Sequence, residues 1–209
     1  MTTLEDTQKH DSGMKGGRLF VVSAPSGAGK TTLCEAARQQ LPDLVYSVSS
    51  TTRPPREGEQ EGVDYFFVTE AQFRSGIDAG QWAEWARVHD NYYGTAARFI
   101  EAHLEAGRDV LLDIDVQGTE QILQRYPDAI TIFIMAPSMA VLRQRITDRG
   151  LDSGPVIDKR MDNAAAEIAR QGMYCHTVVN DDLSDAISRF VSILKGEACL
   201  KGEAGCRGR

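Results

Sequence analysis

The chain has 209 residues, 42% of them hydrophobic, enough for one sizeable core and, by length, one domain with room for an inserted subdomain. Its 23 Lys and Arg against 30 Asp and Glu give a formal charge of -7, which argues against a nucleic-acid or anionic-membrane surface. Phosphate affinity, if present, must come from places where cations are locally concentrated.

Residues 1–17 are polar, with Gly13, Gly16 and Gly17, and lack the apolar stretch of a signal peptide. They read as a mobile tail, as do residues 196–209. No apolar run approaches a membrane-spanning length, and Cys34, Cys175, Cys199 and Cys206 show no metal-ligand spacing. A soluble cytoplasmic protein with reduced thiols, no nucleic-acid partner and no membrane partner is the expectation; a homo-oligomer stays open.

In chain order, the first element is an apolar strand, Leu19–Ser23. It runs into Ala24, Pro25, Ser26, Gly27, Ala28, Gly29, Lys30, Thr31 and Thr32, then into a helical pattern over residues 31–41. Strand, small-residue loop and helix are the context of a phosphate-binding P-loop. Its N–H groups turn inward at phosphate oxygens, the helix end adds positive field and Lys30 adds a mobile charge. The Thr31 hydroxyl suits a magnesium ion bridging the outer phosphates, so a nucleoside triphosphate with Mg2+ is the expected ligand. The strict pattern has Gly where this chain has Ala24. The loop does not name an acceptor, because kinases, GTPases, motor ATPases and inert binding modules all carry it.

Residues 47–56 are rich in hydroxyls, carry Arg53 and Arg56, and hold no acid before Glu57. Two guanidinium forks on a segment stiffened by Pro54 and Pro55 suit a phosphate monoester. Tyr65-Phe66-Phe67-Val68 and Trp82–Val88 then read as short strands around one helix, and the region from about 50 to 93 behaves as an insertion. That helix should start near residue 70, where Thr69 and Gln72 form a capping box and Val68 and Phe73 a staple; Gly76 and Gly80 bound its end.

Beyond the insertion, apolar runs alternate with helical patterns: Val110–Asp113, helix 117–126, Ile130–Met135, helix 139–149, strand 177–180 and helix 184–194. Gly107 and Gly150 fall at expected helix C-caps. The alternation indicates an α/β fold with a parallel sheet and crossover helices. Val110–Asp113 has the form of a Walker B strand delivering Asp113 to the magnesium shell. Asp115, two residues on, points to the same side in an extended strand, so both carboxylates are expected in one cleft. Arg145 and Arg149 lie one helical turn apart and Arg160 follows, an arrangement suited to a closing lid.

Taken together, Ser49-Ser50-Thr51-Thr52-Arg53, Arg56, Gly58-Glu59, Gly62, Asp64-Tyr65, Glu84-Trp85, Asn91-Tyr92-Tyr93-Gly94-Thr95 and Asp113-Ile114-Asp115-Val116-Gln117-Gly118 resemble the guanylate kinase family in order and spacing, from about residue 18 to 194. The resemblance implies a three-layer P-loop NTPase core, a small mixed α/β GMP-binding domain inserted over about 49–95, and a helical lid over about 145–165. It implies Mg-dependent transfer of the ATP γ-phosphoryl group to GMP, and to dGMP, giving ADP and GDP in purine nucleotide metabolism and GMP recycling. By the same resemblance, Arg53, Arg56, Tyr65 and Tyr93 hold the GMP phosphate and Glu84 reads the base. Ser49 and Thr95 stand near that base, with Asp115 as a second acidic contact. Arg145, Arg149 and Arg160 reach over the triphosphate, and Asn180 lies near the donor adenine.

Each implied role makes chemical sense. One carboxylate accepts both parallel donors of guanine, N1–H and the amine, whereas adenine presents an acceptor there. A phosphate monoester is already anionic near neutral pH, so His89, His103 and His176 are not needed as bases. Gly154-Pro155 departs from the family's more acidic lid sequence. The alternative is a catalytically inert guanylate-kinase-like interaction domain, which loses phosphate-binding parts; this chain keeps Lys30, Thr31, Arg53, Arg56 and the lid arginines.

Overall fold

A computed structural model describes residues 16–88, 90–150 and 152–197. Strand β1 (Leu19–Ser23) leads to α1 (Lys30–Gln40) and β2 (Val45–Tyr46). A second region holds β3 (Ser50–Thr51), β4 (Phe66–Phe67), α2 (Glu70–Asp78), β5 (Trp82–Val88) and β6 (Asn91–Ala96). The chain continues through α3 (Ala97–Glu105), β7 (Val110–Asp113), α4 (Val116–Arg125), β8 (Ile130–Met135), α5 (Met139–Asp148), α6 (Gly154–Ile168), β9 (His176–Val179) and α7 (Leu183–Lys195).

The first sheet has the order β2-β7-β1-β8-β9 and is parallel throughout. Its central strand β1 is buried along its whole length, and alternate residues serve opposite layers. Phe20 and Val22 pack with Leu33 of α1 and with Phe190 and Leu194 of α7. Leu19 and Val21 pack with Ile100 of α3 and Ile122 of α4. A strand covered on both faces must be apolar at every position, which is why its sequence is a continuous hydrophobic run. Val22 pairs with Asp113 in register, so the P-loop and the Asp113 carboxylate leave the sheet side by side at its carboxyl edge.

The second sheet, β4-β3-β6-β5, is mixed: β3 and β4 are parallel and the other pairs antiparallel. Phe73 of α2 is fully buried and stacks on Trp82 at 4.2 Å and Tyr92 at 5.3 Å between centroids. The capping box at Thr69 is formed, with Gln72 N–H donating to Thr69 Oγ1 at 3.2 Å and Thr69 N–H to Gln72 Oε1 at 2.8 Å. Gly76 lies inside α2 rather than at its end. A Cβ there would come within 2.8 Å of Trp82 Nε1, so this glycine makes room for the indole, while Gly80, at φ +62°, follows the helix.

Sequence patterning did not separate out α3, β6 or α6. In α6 the Gly154-Pro155 pair sits in the first helical turn, where proline's missing N–H would have no partner anyway; the local departure from an acidic lid is a helix start. Boundaries elsewhere moved by a residue or two, for instance at α4, where Asp115 is the N-cap and accepts from Gly118 N–H at 2.7 Å. Cys34 is a buried free thiol whose pKa is raised, chiefly by burial. Cys175 N–H donates to Thr131 Oγ1 at 2.9 Å. Cys199, Cys206, His89 and most of both predicted tails lie outside the described residues. Among the described residues no helix is long and apolar enough to cross a membrane.

Candidate active site

The phosphate loop is shaped by backbone chemistry. Ala28 N–H closes a turn on Pro25 C=O at 3.1 Å, and Gly27 and Gly29 stand at φ +91° and +97°, where side-chain-bearing residues are strained. Gly29 is constrained twice, since a Cβ would fall 2.3 Å from the Asn180 amide nitrogen. That amide donates to Ala28 C=O at 2.8 Å, while Asn180 N–H donates to Met135 C=O at 2.7 Å and Asn180 C=O accepts from Arg145 at 3.0 Å. Asn180 is therefore a buried brace tying the loop to β8, β9 and the first lid arginine. Ala24 packs its methyl against the core, so the irregular P-loop position is a satisfied apolar contact.

Lys30 Nζ pairs with Asp113 Oδ1 at 2.5 Å and lies 3.4 Å from Ile114 C=O. The other Asp113 oxygen accepts from the Tyr46 hydroxyl at 2.8 Å. Burial and the adjacent Asp113 push the Tyr46 phenol far above its ordinary pKa, so it stays a donor. The Arg38 guanidinium lies 4.8 Å over its ring. Thr31 occupies the first turn of α1, next to Lys30. The Thr31 hydroxyl and Asp113 carboxylate are hard oxygen donors. Among the described residues, no group of three or more His, Cys, Asp or Glu forms a metal cage. That donor set fits magnesium, which keeps its waters and takes few protein ligands when it arrives with phosphates.

Across from this pair opens a cleft of about 360 Å³ lined by Ser49, Tyr65, Glu84, Tyr93, Asp113 and Asp115. Five of the eight residues predicted for the acceptor side line it together with Asp113. A β-bulge between Trp82 and Glu84 breaks the period-two alternation, so Ala83 and Glu84 are both buried. Thr95, directly opposite on β6, donates its hydroxyl to Glu84 Oε1 at 2.6 Å. Burial, with Asp115 adding to it, lifts the Glu84 pKa to about 7 against the pull of the Thr95 hydrogen bond.

Arg53 donates from Nη2 to both oxygens of Glu59, at 2.8 and 3.0 Å, and lies 5.5 Å over the Tyr65 ring, which meets Tyr93 edge-on at 6.0 Å. Arg53 holds the Glu59 carboxyl below its ordinary pKa. The Arg56 side chain is exposed and outside the cleft lining, while its backbone is tied to Glu59: the N–H donates to the carboxylate at 2.7 Å and the C=O accepts from Glu59 N–H at 3.1 Å. On the lid, Arg160 reaches Ser26 Oγ at 3.3 Å and Asp152 at 3.3 Å, whereas Arg149 is exposed. Arg143 and Asp158 tie α5 to α6 at 2.5 Å.

Sequence reading gave no role to Tyr46, Gln121 or Glu167. Tyr46 is visible only through the β2–β7 pairing that sets it beside Asp113. Glu167 on α6 is half-buried and has its pKa raised by burial and by Asp115, with Lys30 opposing. Gln121 hydrogen-bonds the backbone of Trp85, next to Glu84.

Residues 16–197 match the family model for guanylate kinase. The chain is 47% identical over 195 residues to a guanylate kinase of Syntrophotalea carbinolica, covering 91% of this chain and 93% of that protein. It is 48% identical over 183 residues to one of Photorhabdus laumondii subsp. laumondii, covering 87% and 88%. The crystal structure of guanylate kinase from Anaplasma phagocytophilum superposes with a TM-score of 0.68 at 33% identity, over 88% of each chain.

Proposed function

The chain belongs to the guanylate kinase family, and we propose on that premise that it transfers the γ-phosphoryl group of ATP to GMP, and to dGMP, giving ADP and GDP. The reaction places it in cytoplasmic purine nucleotide metabolism and GMP recycling. One observation carries the acceptor assignment: a buried carboxylate, Glu84, faces the same cleft as Asp113, which pairs with Lys30 beside the phosphate loop. A buried carboxylate with one free edge matches two parallel donors, which guanine offers and adenine does not.

In this reading the loop amides of residues 24–32 and Lys30 bind the triphosphate, and Asn180 holds the loop in shape near the adenine end. Thr31 and Asp113, partly through water, hold magnesium, which when bound spreads the negative charge of the outer phosphates. Arg53, Arg56, Tyr65 and Tyr93 take the GMP phosphate, and Arg53 exchanges its Glu59 partner for phosphate oxygens. Ser49, Thr95 and Asp115 complete the base site around Glu84. Arg145, Arg149 and Arg160 neutralise charge over the transferring group as the lid closes, and closure keeps out the water that would otherwise hydrolyse ATP. No protein base is required, because the attacking oxygen is already an anion. The chemistry is positioning and charge neutralisation.

A coupled ADP-release assay with ATP and a panel of acceptors tests this directly. GMP and dGMP should turn over, IMP weakly, and AMP and UMP at background. Background rates with every acceptor would overturn the assignment and favour the inert interaction module.

A further inference from the structure

Strand β5 is the edge of the acceptor sheet, and its outer side faces helix α4 of the core. An edge strand leaves backbone N–H and C=O groups without sheet partners. At Trp85 both are taken by a single side chain: Trp85 N–H donates to Gln121 Oε1 at 3.1 Å, and Gln121 Nε2 donates to Trp85 C=O at 2.9 Å. Gln121 thus substitutes for a neighbouring strand at one position, the residue immediately after Glu84.

One turn earlier on α4, Gly118 meets Glu84 itself. A Cβ at 118 would lie 2.9 Å from Glu84 Oε2 and 3.3 Å from Asp115 Oδ1. Asp115, at the start of the helix, accepts from Gly118 N–H at 2.7 Å. Asp115, Gly118 and Gln121, spaced by three, therefore present a carboxylate, a notch and a backbone clasp along the side of α4 that meets β5. The helix is anchored in turn: Val116, Thr119 and Ile122 are buried, and Thr119 Oγ1 lies 2.9 Å from Ser23 Oγ, at the end of the strand that feeds the P-loop.

We propose that Gln121, with Gly118, is a positioning residue for guanine recognition: together they register the edge strand on α4, so that the Glu84 carboxylate is held in the frame of the P-loop. The phosphate grip, Arg53 with Glu59 and Tyr65, belongs to the β3–β4 edge of the same sheet, away from β5, and among the described residues the side-chain clasp to α4 is made by β5. The base end of the acceptor is then fixed by the core while its phosphate end adjusts. This rests on the reading of Glu84 as the base-reading group.

The test compares Gln121→Leu, Gly118→Ala and Glu84→Gln with the parent, using steady-state kinetics with GMP and IMP as acceptors. IMP lacks the exocyclic amine, so the GMP-to-IMP ratio of kcat/KM reads how well the carboxylate meets both donors. Gln121→Leu should raise the KM for GMP about tenfold and shrink that ratio about fivefold, with the KM for ATP within about twofold of the parent. Gly118→Ala should act in the same direction with the clasp intact. Amide exchange at Trp85 should also accelerate in Gln121→Leu, which a change in global stability alone would not confine to that residue. If Glu84→Gln erodes the ratio and Gln121→Leu leaves it at the parental value, the positioning role is overturned and the base reading stands. If Glu84→Gln itself leaves the ratio unchanged, the base reading fails and the proposal fails with it. Should Gln121→Leu not fold, Gln121→Glu keeps the acceptor for Trp85 N–H, loses the donor to its C=O, and should give an intermediate shift; a parental ratio there overturns the proposal equally.

Discussion

The two sides of the cleft are built from different materials. On the donor side, backbone does the shaping: a fully buried strand, a loop curled at two left-handed glycines and a helix start, all braced by the buried Asn180. On the acceptor side, the nearby strands β3 and β4 are two residues long, and the binding groups are side chains held by one another: Arg53 by Glu59, Tyr65 by Tyr93, Glu84 by Thr95. Triphosphates present the same oxygens whatever base they carry, so a cradle of N–H groups suffices for them. A particular base requires functional groups at particular points, which only side chains supply. The donor side should therefore fail through loss of charge or loop shape, and the acceptor side through loss of selectivity.

The largest effect should come from the donor side. Lys30→Met removes the mobile charge while keeping the length of the stem, and leaves Asp113 facing the phosphates without its 2.5 Å partner. We expect kcat to fall about 10³-fold, about 4 kcal/mol, with the GMP-to-IMP preference of the residual activity retained. Rapid-quench measurement of both acceptors checks it. A changed preference would show that the two sides are not separable.

The next effect is on the acceptor side and is a pH dependence. The substrate-free Glu84 carboxyl titrates near pH 7, and only its ionised form accepts both guanine donors. At pH 6 about a tenth of the protein would be competent, so the KM for GMP should rise about tenfold relative to pH 8. GMP's own phosphate also titrates near pH ~6, so the control is Glu84→Gln, which keeps that ionisation and should lose the step near 7. Stability moves the other way. A folded pKa above the unfolded value near 4.5 means that the fold holds the proton more tightly; this contribution is present in full below the unfolded value and is lost as pH rises through about 7. Above pH 7 the buried charge then costs on the order of 3 kcal/mol. Glu84→Gln should accordingly be more heat-stable than the parent at pH 8 and nearly equal to it at pH 5, as calorimetry at the two pH values would reveal.

The same contrast explains what could be read from the sequence. The donor side was legible as a motif, because strand, loop and helix are contiguous and each constraint falls on consecutive residues from Leu19 to Thr32. The acceptor side became legible only through family resemblance, since Tyr65, Glu84 and Asp115 line one cleft across many intervening residues. What escaped was set by pairing and packing. Tyr46 reads as any strand aromatic until β2 is placed against β7, and Gln121 as a surface glutamine until the edge of β5 is laid along α4. The bulge that turns Glu84 inward has no composition signature, and the Gly154-Pro155 pair, with its loop-like residues, opens a 15-residue helix because helix starts tolerate proline.

The smallest effect we expect concerns Tyr46, and it sharpens the comparison most. Its hydroxyl occupies Asp113 Oδ2, leaving Oδ1 for Lys30. Tyr46→Phe keeps the ring beneath Arg38 and removes one charge-assisted hydrogen bond, so about 1–2 kcal/mol of stability should be lost by urea titration. If Asp113 then samples other rotamers, kcat should drop about threefold and the magnesium concentration for half-maximal rate should rise, since the carboxylate would meet the metal's waters less often in the right orientation. The KM for GMP should not change, because among the described residues the Tyr46 hydroxyl bonds to Asp113 and its ring lies under Arg38, both on the donor side. Asp113 nevertheless lines the acceptor cleft as well as pairing with Lys30. A rise in the KM for GMP in Tyr46→Phe would therefore identify Asp113 as the point where the backbone-built and side-chain-built halves of the site are coupled.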